Sequence, residues 1–324
     1  MIEREIPLSL SGKNRSRYRR FRAELREKLQ RRELIVAPGA HGPFYARLVE
    51  AAGFDCVYMT GYGTAANILG MPDVGLITMS EMVSNVRNIC RVVDIPVIAD
   101  MDTGYGNAIN AMRAVGEYER AGAAGFHIED QVAPKKCGFM RGKMVVPTEE
   151  MAGKIRACVE ARGDENTLII ARTDARAVEG NEAMWDRANA YVEAGADVIF
   201  PERPESLEDI KGDLKHIRAP LLCNGIRPQY GVESIEEVEE LGFAILIMPG
   251  ATWDPAFKAA YDFLAKIRRT GRYSDRLEGP VKFFSRAEFG DLVRLPRIRT
   301  YEERFLPETE IIDRYKSRKV PRQF

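Results

Sequence analysis

Eight short, β-rich apolar runs recur between residues 34 and 250, and they constrain this chain more than any other feature. They are 34-LIVAPG, 56-CVYMTG, 96-PVIADMD, 125-GFHIED, 168-LIIARTD, 197-DVIFPE, 220-PLLCNG and 243-FAILIMPG. Between them lie longer segments with helical periodicity, among them 43-PFYARLVEAAG, 80-SEMVSNVRNICRVV, 109-INAMRAVGEYERAG, 148-TEEMAGKIRACVEAR, 181-NEAMWDRANAYVEAG and 234-SIEEVEELG. Several of these end in Ala-Gly or Leu-Gly just before the next run, as a helix C-cap does. Eight such alternations predict an α/β chain folded as a (β/α)8 TIM barrel. A doubly wound open sheet is the main alternative. It would place a Gly-rich phosphate loop after the first strand, and neither G-x-G-x-x-G there nor G-x-x-x-x-G-K-[ST] anywhere is present.

The barrel is expected to span residues 21–270. Residues 1–20, with Arg15, Arg17, Arg19 and Arg20, read as a flexible basic arm; a helical pattern carrying Phe21, Leu25 and Leu29 follows. Residues 271–324 read as a helical segment for oligomer contacts plus a loose basic tail. Its apolar positions Val281, Phe283, Phe284, Phe289, Leu292 and Val293 come after the barrel is complete, which favours a subunit partner.

Lys+Arg and Asp+Glu both number 48, so bulk charge offers no case for nucleic acid or an anionic membrane as partner. The apolar runs are of strand length, short of a membrane span. The five cysteines are scattered and include no C-x-x-C pair, which fits reduced thiols in a cytoplasmic protein. Four lie in apolar patterns and read as core residues. Cys137 lies in a polar loop beside Lys135 and Lys136, whose field is expected to stabilise its thiolate.

In a barrel of this kind, functional side chains sit where strands end. Those positions hold Thr60, Gly61 and Tyr62 after the second run, and Asp100 and Asp102 after the third. The fourth to seventh hold His127, Glu129 and Asp130; Arg172 and Asp174; Glu202; and Asn224. An apolar core has no use for so many charges, since each one buried without a partner is costly. Asp100 and Asp102, two apart, are expected to share one side of a strand. With Glu129 from the next strand they make an oxygen-rich cluster suited to Mg2+. Arg172 is suited to a bidentate grip on a carboxylate. His127, inside an apolar run, reads as supporting the site. Gly138 and Gly142 allow the loop around Cys137 to close over it.

These motifs identify a resemblance. Y-M-T-G-Y-G at 58–63, P-D-V-G at 72–75, D-M-D-T-G-Y-G at 100–106, G-F-H-I-E-D-Q at 125–131, K-K-C-G at 135–138, A-R-T-D-A at 171–175, P-E at 201–202 and C-N at 223–224 resemble the isocitrate lyase/phosphoenolpyruvate mutase superfamily, over roughly residues 34–300. The resemblance implies a Mg2+-dependent enzyme, with Mn2+ as the alternative metal, acting on small carboxylates through an enolate. Asp102 would be the direct metal ligand, with Asp100 and Glu129 holding metal waters. Thr60, Gly61 and Tyr62 would hold the substrate's carboxylate and oxo end, and Lys135, Gly138, Arg172 and Asn224 would line the rest. Cys137 would be the acid that protonates a departing carbanion, with Arg172, Glu202 and His127 completing the catalytic set. The K-K-C-G cysteine is similar to the branch of 2-methylisocitrate and 2,3-dimethylmalate lyases, which implies retro-aldol cleavage to pyruvate or glyoxylate and a second carboxylate. The C-terminal segment resembles the family's helix swapped between subunits, implying a homotetramer built as a dimer of dimers.

Two residues depart from the pattern. Phe139 stands where the lyases usually continue with His, and Tyr62 where Gly is common. Both point to a substrate with a less polar or smaller distal part than isocitrate. Decarboxylation or hydrolysis of oxaloacetate-like acids, phosphonate chemistry, and a ligand-binding barrel without turnover are the rival readings.

Overall fold

The computed structural model describes residues 13–273 and 284–309. Val281, Phe283 and the basic tail therefore lie outside the described residues. All eight apolar runs are strands: β1 (Ile35–Ala40), β2 (Val57–Met59), β3 (Val97–Asp100), β4 (Gly125–Glu129), β5 (Leu168–Thr173), β6 (Val198–Pro201), β7 (Leu222–Asn224) and β8 (Ile245–Met248). They pair in parallel in the order β6-β5-β4-β3-β2-β1-β8-β7, and a parallel bridge from Ile199 to Leu221 brings β6 against the start of β7. The result is a nearly closed (β/α)8 barrel. β3, β4, β5 and β6 are buried at every position. A strand covered on both faces needs apolar residues throughout rather than alternation, which is why these runs are continuous.

Helices connect the strands, and glycines end several of them. Gly122 caps Ala108–Ala121 at φ 111°, a left-handed conformation that a side chain would disfavour. Its Cα also faces the Tyr18 ring, whose atoms would lie 2.6 Å from an added Cβ. Tyr18 belongs to the helix Lys13–Arg31, which corrects the reading of residues 13–20 as a flexible arm. Tyr18, Phe21, Leu25 and Leu29 are buried along one face. The arginines bind carbonyls that precede strands: Arg17 donates to Val93 O at 2.7 Å, Arg22 to Ala123 O at 3.1 Å and Arg26 to Thr167 O at 3.3 Å. Of the four arginines that suggested a solvated arm, Arg17 is buried in these contacts, while Arg15, Arg19 and Arg20 are exposed.

The chain separates into two compact units, Met1–Asp254 and Pro255–Phe324. In the second, Phe257, Tyr261, Leu264, Phe284 and Phe289 are exposed. Among the described residues no helix is long and apolar enough to cross a membrane.

Candidate active site

The strand-end residues do converge at the C-terminal mouth of the first unit. Asp100 closes β3, but Asp102 lies beyond the strand at φ +46°. Strand alternation is therefore not what joins the two carboxylates. The chain turns, the Asp102 N–H donates to Asp100 Oδ1 at 2.9 Å, and Asp102 O accepts from the Glu129 N–H at 2.9 Å. Gly61 is required beside them, because a Cβ there would collide with Asp100 Oδ2. Thr60 N-caps the helix Gly61–Leu69, its hydroxyl accepting from the Gly63 N–H. Tyr62 sits in that helix's first turn, 41% exposed.

Arg172 is the hub of the other half. Register sets it opposite Glu129 on β4 and Phe200 on β6. Its guanidinium grips Asp174 with Nε at 2.9 Å and Nη2 at 3.1 Å, and lies 3.3 Å from Glu129 and 3.5 Å from Glu202. Glu202 in turn accepts from Asn224 Nδ2 at 3.2 Å.

The loop after β4 is docked over this set. Gln131 brackets the Lys136 backbone, accepting its N–H and donating to its carbonyl, each at 2.9 Å. The Cys137 N–H donates to Asp73 O at 3.0 Å. Lys143 binds both Gly138 O and Asp174. A Cβ on Gly138 would lie 2.8 Å from Glu202 Cδ and 2.9 Å from Arg172 Nη2, so only glycine lets the loop approach this closely. Asp73 and Lys143 are thus site residues that sequence reasoning left without a role, whereas the Arg172–Asp174 pair was among its readings. P-D-V-G carried Asp73 as a motif letter, whereas nothing local marks Lys143.

Lys135 is buried among carboxylates, with its ammonium 2.7 Å from Asp73 Oδ1 and 2.8 Å from Asp102 Oδ1. Burial opposes its charge, but Asp102, Glu129, Asp100 and Asp73 outweigh that and raise its pKa. This pairing overturns the expectation of a thiolate at Cys137. Burial raises the Cys137 pKa, with Asp73 adding to it, and this outweighs the lowering by the Phe139 backbone hydrogen bond, Arg172 and Lys135. The side chain is a protonated thiol near neutrality. Iodoacetamide alkylation of Cys137, followed by mass spectrometry, is accordingly expected to be slow at pH 7 and to accelerate only above the ordinary thiol range. A rate already maximal at pH 7 would contradict the protonated state.

His127 is fully buried, with Nε2 2.8 Å from Tyr58 Oη and 3.7 Å from Asp100 Oδ1. Burial lowers its pKa to about 3, so it enters the site as a neutral ring.

Six buried carboxylates (Asp73, Asp100, Asp102, Glu129, Asp174, Glu202) face three buried cations (Lys135, Lys143, Arg172). The excess has visible consequences. Burial lifts Asp100, carries Asp102 to about 6 and raises Glu129 well above the usual carboxylate range. Neither Glu129 oxygen has an aligned hydrogen-bond donor, with Arg172 Nη1 3.3 Å from one of them. Buried acceptors without donors are rare and call for a partner. No group of three or more acidic, His or Cys side chains among the described residues forms a ready-made metal cage. Lys135 already engages Asp102. Mg2+ takes only one or two carboxylates directly and keeps its waters, so a cluster with orphaned oxygens and surplus negative charge fits it without such a cage.

Comparisons with known proteins agree with this geometry. The phosphoenolpyruvate phosphomutase family model matches residues 25–268. A 2,3-dimethylmalate lyase from Eubacterium barkeri is 44% identical over 284 residues, covering 87% of this chain and 97% of that protein. A 2-methylisocitrate lyase from Aeropyrum pernix is 46% identical over 272 residues, covering 83% and 86%. The solved structure of a phosphonopyruvate hydrolase with oxalate and Mg2+ superposes with a TM-score of 0.80 at 33% identity, covering 88% of this chain and 99% of that one. The barrel, the motif order and these matches together make this chain a member of the phosphoenolpyruvate mutase/isocitrate lyase superfamily.

Proposed function

We propose that this chain is a Mg2+-dependent carbon–carbon lyase. Its substrate would be a 2-hydroxy dicarboxylate or tricarboxylate of 2,3-dimethylmalate or 2-methylisocitrate type, cleaved to a 2-oxo acid and a second carboxylate. The observation that carries the reading is the Cys137 loop docked through Gly138 against Arg172 and Glu202, where burial also raises the pKa of the thiol. The names of the two lyase relatives support the same chemistry.

Asp102 would hold Mg2+ directly, with Asp100 and Glu129 around its waters, and the ion would supply electrophilic polarisation of the hydroxy-acid end. Thr60, Gly61 and Tyr62 receive the carboxylate at that end. The C2 hydroxyl gives its proton to a carboxylate of the strand-end cluster acting as base, and the oxygen pair forms the new C=O bond. The C2–C3 bond breaks, and its electron pair passes to C3 and is delocalised into the attached carboxylate. Cys137 Sγ donates its proton to C3, leaving a thiolate that is reprotonated from solvent. Arg172, held by Asp174 and Glu202, opposes the charge that develops, the kind of preorganised electrostatic term that dominates such reactions. Asn224 keeps Glu202 in place. His127 and Tyr58 position Asp100 without titrating. The docked loop, through Lys135 and Gly138, excludes water from the carbanion.

The same reading takes the protein as cytoplasmic, in line with five free cysteines. It takes the assembly as a homotetramer in which the exposed aromatic residues of the C-terminal unit meet a neighbouring subunit.

A Mg2+-dependent screen of 2-hydroxy di- and tricarboxylates, with detection of pyruvate, glyoxylate and other 2-oxo acids, tests the proposal. Release of a 2-oxo acid from an alkyl-substituted malate or isocitrate, abolished by EDTA and restored by Mg2+, is the expected result. Release from none of them overturns it.

A further inference from the structure

We propose that Arg227 receives the distal carboxylate of the substrate, and that the Arg227–Phe139 pair selects compact, alkyl-bearing dicarboxylates over tricarboxylates. This rests on the lyase reading above and names the residue that would decide its substrate.

Beyond Asn224 at the end of β7, the chain doubles back through a tight turn at Pro228–Tyr230, closed by Gly231 at φ 77°. Arg227 and Val232 exchange both backbone hydrogen bonds, at 2.9 and 3.2 Å, so the Arg227 backbone is fixed at the site's edge. Its guanidinium carbon lies 5.6 Å from the centroid of the Phe139 ring. That ring belongs to the residue after Gly138, which is itself against Glu202 and Arg172. The Phe139 ring is 58% exposed, so the two side chains form an outer, solvent-facing rim on the loop that covers the strand-end cluster. Arg227 also contributes, with Glu202, to the field at Cys223.

The charge pattern separates Arg227 from its neighbours. Lys135, Lys143 and Arg172 each have a carboxylate partner. No carboxylate among the described residues pairs with Arg227. A half-buried guanidinium stacked on an aromatic ring keeps its N–H fork available, and the fork matches a carboxylate in two-point geometry. The ring beside it offers apolar surface. One distal carboxylate with methyl groups satisfies both. A second distal carboxylate would meet the phenyl face and be left unpaired, which is costly once water is excluded.

The test compares wild type, Arg227→Met and Arg227→Lys in two assays. Calorimetry measures binding of oxalate, which is too short to reach the outer rim, and of 2,3-dimethylsuccinate, which carries the distal carboxylate. Kinetics measures kcat and KM for the best substrate of the screen. Arg227→Met is expected to weaken dimethylsuccinate binding and raise KM by about 10- to 100-fold, the loss of charge-assisted hydrogen bonds, with oxalate affinity within about twofold. Arg227→Lys should recover part of the loss. Phe139→His should raise the relative kcat/KM for tricarboxylates. Unchanged dimethylsuccinate binding in Arg227→Met overturns the proposal, and so does a parallel fall in oxalate affinity, which would mean a general disturbance of the site. If the wild type cleaves no acid, the lyase reading fails on its own, while the binding comparison still decides the role of Arg227.

Discussion

Cys137→Ser is expected to lower carbon–carbon cleavage by about 10^2- to 10^4-fold, the usual contribution of a positioned proton donor. The substitution keeps the size and the backbone tie to Asp73 O but replaces the thiol with a far weaker acid. Its effect should therefore fall on kcat. Oxalate affinity, which reports the strand-end cluster and not the thiol, should stay within about twofold of wild type. The pH profile carries a matching sign. The reactive form is the protonated thiol, and burial raises its pKa, so wild-type activity should persist through the ordinary thiol range and decline only above it. A Cys137→Ser enzyme with near-normal kcat would remove the thiol from the mechanism.

Arg172→Met should have the largest effect on stability. The guanidinium holds Asp174 bidentately and lies within 3.5 Å of Glu129 and Glu202, all fully buried. Removing it leaves those carboxylates against an apolar side chain, with Lys143 still paired to Asp174. Breaking one side of a buried ion pair typically costs about 3–5 kcal/mol. For a unit of this size that is a fall in Tm of roughly 6–20 °C by scanning calorimetry. Activity should fall as well, since the positive charge facing the developing enolate is gone. A change in Tm under about 2 °C would mean that the network carries no such load.

The sequence made the barrel legible because strands of a parallel sheet are covered on both faces and read as unbroken apolar runs. The pattern held even for the three-residue β2 and β7. It failed where local chemistry and tertiary context part. Gly61 and Gly63 hid the helix Gly61–Leu69, since glycine is a poor helix former; Gly61 is there to clear Asp100. The basic cluster at 15–20 read as a loose arm, because nothing in a sequence says that Arg17 will meet the carbonyl of Val93 and anchor the helix that carries it.

The candidate site was legible residue by residue, since charges at strand ends have few structural uses. Its electrostatics was not. Lys135 and Lys136 adjoin Cys137 in the chain, yet the Lys135 ammonium is spent on Asp73 and Asp102, and Asp73 arrives from a loop more than sixty residues upstream. The two-residue spacing of Asp100 and Asp102 was a correct sign of a cluster for a different reason, a turn at positive φ instead of strand alternation.

Product analysis by NMR tests the central claim most directly. The protein with Mg2+ is incubated in D2O, separately with 2,3-dimethylmalate, 2-methylisocitrate and oxaloacetate. The lyase account predicts a 2-oxo acid and a second carboxylate from one of the first two, with a single deuterium on the carbon that Cys137 protonates. Inertness toward both, with oxaloacetate converted to oxalate and acetate, would contradict it.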